Sequence, residues 1–309
     1  MKPNYQSNKP LRYLSLFSGI GGFEVGIESV FPKAVCVGYS EIDPHTLKVY
    51  QKHFPDHPYL GPVQNIKGPL SFDLLVGGSP CQNLSSTNIN GVRGLQGSKS
   101  RLFFEYLRIL KKYKPKYFIL ENVKSMRPED KDIITKKLGV EPIALNSNLV
   151  SAQHRGRLYW TNIPLQTWIL DLPSKIRSDR VKNILLPVSV LERKENVDLL
   201  VSKLSKPYHN YLKWKRRGAG IGFYPITDSD QDKSRILTTK SPYWINDKRL
   251  GKLRNIHPIE AERLQTFPDN WTQGLSYRQR IKALGNAVTC NVIGLILLNL
   301  SMQKLDPKR

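Results

Sequence analysis

Apolar and polar positions alternate on a short rhythm from the start of the chain. Tyr13-Leu14-Ser15-Leu16-Phe17 is an apolar run of strand length, and Ser18-Gly19-Ile20-Gly21-Gly22 breaks it. From Phe23 to Phe31 the apolar residues recur at helical spacing, and Ala34 to Tyr39 forms a second run closed by Ser40-Glu41. Phe72-Asp73-Leu74-Leu75-Val76 and Tyr117-Phe118-Ile119-Leu120 predict two further strands, with an amphipathic helix over Leu102 to Tyr113 between them. Strands alternating with helices predict a parallel, doubly wound α/β sheet. Ligands of such sheets bind beyond the carboxyl ends of the strands. The polar clusters FSGIGG, SEID, GGSPCQ and ENV each follow a predicted strand.

The rhythm loosens from about Asp171. Residues 201 to 255 carry thirteen Lys and Arg against four Asp, with Tyr208, Tyr211, Trp214, Phe223, Tyr224, Tyr243 and Trp244 among them. Glycine and proline are frequent and helix-period runs weak, which predicts a smaller, irregular, β-rich domain. Periodicity returns at Pro258 to Leu264, and Val288 to Leu300 predicts a buried helix. The expected boundaries are a main domain at 10–170, completed by 281–304, and a small domain at 171–280. No internal repeat interrupts this plan.

Composition adds one strong feature. Lys and Arg number 48 against 25 Asp and Glu, a net charge of +23. A basic field spread along the chain and interleaved with aromatics suits a polyanion, nucleic acid first, although a solvated surface has the same composition. No apolar run reaches the ~18 residues of a membrane span, and MKPNYQSNKP lacks the apolar core of a signal peptide. Cys36, Cys81 and Cys290 are odd in number and far apart, so neither a disulfide framework nor a metal site is expected, and the reducing cytoplasm is the expected compartment.

The candidate chemistry lies at the strand ends. FSGIGGF is either a cradle for a ligand or only a tight turn, since its spacing is not GxGxxG. Glu41 sits where an acid accepts bonds from ribose hydroxyls, or is simply a solvated charge. Cys81 follows Pro80 in a polar, glycine-flanked turn, unlike a structural cysteine in an apolar element. With Glu121 ending the next apolar run, it suggests nucleophilic attack coupled to proton donation. Arg155 and Arg157 stand at strand spacing, which would place both guanidinium groups on one face, for phosphate or a base edge.

In order, FSGIGGF, SEID, GGSPCQNLS, ENV, QHRGR, RLQTFP and GNAV resemble the motifs of the DNA (cytosine-5) methyltransferases, over roughly residues 12 to 165 and 234 to 300. Val150 to Arg155 with Tyr159-Trp160 is also similar to the animal de novo enzymes. The resemblance implies a Rossmann-like methyltransferase domain and a small target recognition domain. It also implies transfer of a methyl group from S-adenosyl-L-methionine to C5 of a cytosine flipped out of duplex DNA. By match, Cys81 attacks C6, Pro80 shapes the turn and holds the amino group, Glu121 binds N3, and Arg155 and Arg157 hold the nucleotide. A loop from Gln82 to Ser100, with Gly91, Gly94 and Gly97, would close over the base.

For the cofactor the matched residues are Phe17, Ser18, Gly19, Gly21, Gly22 and Gly78, with Glu41 and Ile42 at ribose and adenine and Asn286 and Val288 at the methionine end. Where the family has an aspartate before Ile or Val to read the adenine, this chain has Asn65-Ile66. The DNA contacts implied are Gln82, Ser85, Arg101, Thr238 and Thr239, the last two because Leu237-Thr238-Thr239 resembles a backbone-contacting segment. Lys213, Lys215, Arg216 and Arg217 around Trp214 form the expected recognition cluster. The partner expected is double-stranded DNA, with no metal or membrane, and the enzyme a monomer, either a restriction partner or a bacterial or phage orphan. Two other readings stay open: a tRNA cytosine-5 methyltransferase and a silent DNA-binding module. A nicotinamide-dependent dehydrogenase leaves PCQ and ENV without a role.

Overall fold

The apolar runs become the strands of one sheet. In the computed structural model, which describes residues 9–80, 94–95, 102–165, 181–191, 200–201, 226–230, 233–239 and 243–302, the first strands are β1 (Arg12–Leu16), β2 (Val35–Ser40), β3 (Leu74–Gly78) and β4 (Tyr117–Val123). They are followed by β5 (Ile143–Asn146) and β6 (Gly156–Thr161) in the order β2-β1-β3-β4-β6-β5. β1 pairs in parallel with β2 and β3, and β3 in parallel with β4. The sheet is nevertheless mixed, because β6 runs antiparallel to β4. The connection 147–155 back from β5 is too short for a parallel crossover, so β6 returns antiparallel.

The expected helices appear as α1 (Gly22–Val30) and α3 (Leu102–Tyr113), and two that the pattern did not predict join them: α2 (Pro44–His53) and α4 (Pro128–Leu138). Asp43 caps α2 by accepting from His45 N (2.9 Å) and Thr46 N (3.4 Å), and Pro44 opens its first turn. α4 opens on Pro128 and stops at Gly139, whose φ of 71° suits glycine. Leu14, Leu16, Leu75 and Leu120 pack with Phe103, Tyr106 and Ile109 of α3 and with Trp160 of β6, all fully buried.

The chain divides into two compact units: Met1–Leu145 with Gly156–Asp171 and Val292–Arg309, and Asn146–Arg155 with Leu172–Asn291. The second holds a four-stranded sheet ordered β7-β10-β9-β8, built from β7 (Leu200–Val201), β8 (Ile226–Asp228), β9 (Trp244–Asp247) and β10 (Lys252–Asn255). Among the described residues, four helices accompany it: α5 (Val181–Ile184), α6 (Val188–Leu191), α7 (Pro258–Leu264) and α8 (Tyr277–Asn286). Arg254, fully buried, donates to Asp247 and to both oxygens of Glu260. Glu260 also accepts Leu186 N and His257 N, so one carboxylate closes the α7 capping box and anchors the segment before α6. The helix α9 (Cys290–Met302) ends the described chain. By length and composition the stretch Tyr277–Ser301 would pass for a membrane span, contrary to the sequence expectation; it is interrupted at 287–289 and its apolar window is 72% buried.

Behind the glycine turn, Glu24 of α1 is fully buried and accepts a bond from the Tyr50 hydroxyl (2.9 Å), which lies 3.0 Å from His57 Nδ1. Burial raises its carboxyl from 4.5 to about 7. The folded protein thus holds this proton more tightly than the unfolded chain does. That stabilising contribution is complete below about pH 4.5 and is lost as pH rises through about 7. Glu24→Gln stays neutral, so it should flatten the fall in stability across that window and exceed the wild type above it, by at most roughly 3 kcal/mol. Urea unfolding midpoints across the window check this; parallel profiles for the two proteins would exclude Glu24 as the source.

Candidate active site

β3 runs out through Ser79 and Pro80, and β4 ends on Glu121-Asn122-Val123. Their register sets Gly78 opposite Glu121, and β6 sets Arg157 opposite Val123. The largely buried Glu121 carboxylate meets Arg157 Nε at 2.9 Å. A Cβ on Gly78 would lie 3.0 Å from Glu121 Oε2, so the glycine leaves the carboxylate its place. Asn122, also buried, donates from Nδ2 to Ser79 O and Ser79 Oγ, both at 3.1 Å. It ties the ENV strand end to the turn that carries Pro80. Sequence reasoning quoted this asparagine without assigning it a task; its signal is a polar side chain inside an apolar strand.

Cys81, Gln82, Ser85, Gly91, Gly97 and Arg101 lie outside the described residues. Within the expected loop, Gly94 and Leu95 are described. Leu95 N donates to Asp130 Oδ1 (3.0 Å), and Leu95 is buried. Gly94 has φ 88°, and a Cβ there would strike the Arg127 guanidinium at 2.1 Å. Gly94 serves a close approach to Arg127 and Asp130, at the start of α4, rather than loose flexibility.

The cofactor candidates gather at the ends of β1 and β2. Ser18 Oγ donates to Ser15 O (3.2 Å), and Ser18 N to Ser40 O (3.1 Å). Gly19 N donates to Glu41 Oε2 at 2.8 Å, while Glu41 Oε1 accepts Ile42 N and Asp43 N. Phe17, Gly19 and Gly21 all have positive φ. Tyr59, which the sequence reading missed, donates its hydroxyl to Glu41 O (2.9 Å). Ile42 is 67% exposed, an apolar side chain beside an acceptor-only carboxylate. α1 starts on Gly21 without a side-chain cap, leaving a helix N-terminus for an anion. This donor set fits an adenosyl ligand with a carboxylate tail. Asn65 is exposed, whereas Ile66 is buried in the core cluster, so of the aligned pair only Asn65 is presented outward.

The remaining candidates belong to the second unit. Arg155 and Arg157 do not act as the pair expected from their spacing. Arg155 precedes β6, is buried, and donates from Nη1 to Leu237 O (2.8 Å) and from Nη2 to Gly285 O (3.1 Å) and Ala287 O (2.8 Å). Gln153 binds Leu237 N (2.8 Å) and Leu264 O (3.1 Å), and Gln265 donates to Leu284 O (2.7 Å) and Ala287 O (3.2 Å). Thr239 and Asn286 are exposed, Thr238 is half-buried and Val288 is buried. Lys213, Lys215, Arg216 and Arg217 lie outside the described residues. Gln153, Gln265 and Gly285 stand inside motifs already noted, but their partners are too distant in sequence to be read there. Among the described residues no cluster of His, Cys, Asp and Glu could hold a metal ion.

Comparison with known proteins identifies the family. The family described as C-5 cytosine-specific DNA methylase matches residues 11–161 and 175–301. The Type II methyltransferase M1.ScrFI of Lactococcus lactis subsp. cremoris is 30% identical over 94% of this chain and 78% of its own length. M.HhaI of Haemophilus parahaemolyticus is 27% identical, covering 94% of both. Among solved structures, the Entamoeba histolytica methyltransferase EhMeth superposes with a TM-score of 0.71 at 18% identity, over 97% of this chain and 100% of that one. The S. pombe Dnmt2 methyltransferase gives 0.66 at 17%, over 96% and 99%. At those identities the structures speak for the fold, a Rossmann-like methyltransferase α/β sheet. Motif order, strand-end geometry and the family match together make this chain a member of the C-5 cytosine-specific DNA methylases, which use S-adenosylmethionine to methylate C5 of cytosine in DNA.

Proposed function

We propose that Cys81, Glu121, Arg157 and Pro80 form the catalytic set, and that residues 171–280 select the DNA sequence. The observation that carries the proposal is the pairing of Gly78 with Glu121, which brings the strand end leading to Cys81 beside a buried carboxyl held by Arg157. The thiolate of Cys81 adds to C6 of the flipped cytosine. Glu121 meanwhile bonds N3 and the amino group, so the ring's negative charge is neutralised and C5 becomes nucleophilic. The Pro80 carbonyl holds the amino group. Arg157 keeps the carboxyl oriented and faces the nucleotide. Loss of the C5 proton finally expels the thiolate.

When bound, S-adenosylmethionine supplies the electrophilic methyl group that C5 accepts. Glu41 and Ile42 hold its ribose and adenine, Asn65 its adenine amino group, and Phe17 to Gly22, Gly78, Asn286 and Val288 its methionine end. Thr238 and Thr239 meet the DNA backbone, with Gln82, Ser85, Arg101 and the basic residues 213 to 217 as further contacts. The enzyme works as a cytoplasmic monomer in a bacterial or phage-infected cell, as a DNA (cytosine-5-)-methyltransferase.

Expression in a methylation-free host followed by bisulfite sequencing tests the whole reading. 5-Methylcytosine should appear in one sequence context, and Cys81→Ser should abolish it while SAM and DNA binding persist, since a hydroxyl is a far weaker nucleophile. Comparable turnover by that variant would exclude the covalent route. Glu121→Gln should slow single-turnover methylation of pre-bound DNA by roughly 10²-fold or more; an unchanged rate would reduce Glu121 to a structural residue. Glu41→Ala should weaken SAM binding by an amount worth about 1.5–3 kcal/mol and spare DNA affinity. Calorimetry reads this directly, and equal SAM affinity would move the ribose contact elsewhere.

A further inference from the structure

Arg155 sits at the meeting point of two segments far apart in sequence. Its guanidinium donates to the carbonyl of Leu237, immediately before Thr238-Thr239, and to the carbonyls of Gly285 and Ala287, which flank Asn286. The two segments also touch directly. A Cβ on Gly285 would lie 2.6 Å from Thr238 C, 2.7 Å from Thr239 N and 2.8 Å from Thr238 O, so the backbone of one segment runs against the backbone of the other. Gln153 fastens the first from the other side by accepting Leu237 N, and Gln265 fastens the second through Leu284 O and Ala287 O. Every anchor is buried, while Thr239 and Asn286 stand exposed.

From this we infer that Arg155 is a positioning residue with two outputs. One planar guanidinium sets both the threonine segment proposed for the DNA backbone and the asparagine segment proposed for the cofactor, so neither can shift without disturbing the other. Arginine is required because the fork delivers divergent donors from one rigid plane; a lysine ammonium has the charge but not the geometry. The inference rests on the roles proposed above for Thr238-Thr239 and Asn286.

The test measures KM for SAM and KM for sheared DNA from a methylation-free host, with kcat and melting temperature, for five proteins: wild type, Arg155→Lys, Gly285→Ala, Thr239→Val and Asn286→Ala. Arg155→Lys should raise both KM values together, each on the order of tenfold, as expected for loss of charge-assisted bonds. Gly285→Ala, which forces the same two segments apart while leaving the Arg155 side chain unchanged, should do the same. A role confined to fold stability would reduce the active fraction, lowering kcat and leaving both KM values in place. That result, or a change in one KM only, would overturn the inference. Thr239→Val should raise only KM for DNA, and Asn286→Ala only KM for SAM. If either control leaves its own constant unmoved, the role proposed for that segment is wrong and the inference falls with it.

Discussion

The parallel register between β3 and β4 is the constraint from which the site follows. With Gly78 opposite Glu121, the turn entering Pro80 and the ENV strand end leave the sheet side by side. Asn122 then locks the turn to the strand through Ser79, and the antiparallel β6 brings Arg157 against the carboxylate. A slip of one residue in this pairing would carry the carboxylate to the opposite face, since side chains alternate along a strand. The site therefore inherits its precision from backbone pairing in the most buried part of the sheet, where Leu75, Val76, Ile119 and Leu120 are shut off from solvent.

Much of this was legible in the sequence because buried parallel strands announce themselves as short apolar runs, and ligand-facing residues as the polar breaks that end them. α3 is found over the residues predicted for it because its apolar face is regular. α2 and α4 were not legible for the converse reason. α2 buries only Thr46, Val49 and Tyr50, and α4 only Asp130 and Ile134, so caps and prolines rather than periodicity define them. β6 was visible only as a spacing, and its direction depends on the length of the connection from β5, which apolar patterning does not encode.

Arg155 and Arg157 differ for a related reason. Two arginines at alternate positions look equivalent in sequence. Their difference lies in what the fold leaves unsatisfied. Leu237 and Gly285 present buried carbonyls and Ala287 a half-buried one, all outside strand ladders, and acceptors of this kind require donors. The Arg155 guanidinium reaches all three, while Arg157, inside β6, is turned toward Glu121. That distinction rests on contacts spanning 82 to 132 residues of sequence.

The second unit contains a knot that binds three positions together. Arg254 lies between Asp247 and Glu260 with no solvent access, and Glu260 is committed as well to the backbone at Leu186 and His257. Replacing Arg254 alone leaves the buried Glu260 carboxylate without its ion-pair partner, a loss of about 3–5 kcal/mol, whereas an apolar trio of matching volume would be tolerated. The apolar alternative is therefore reached only by changing the three together, which makes them one unit of the interior rather than three independent positions.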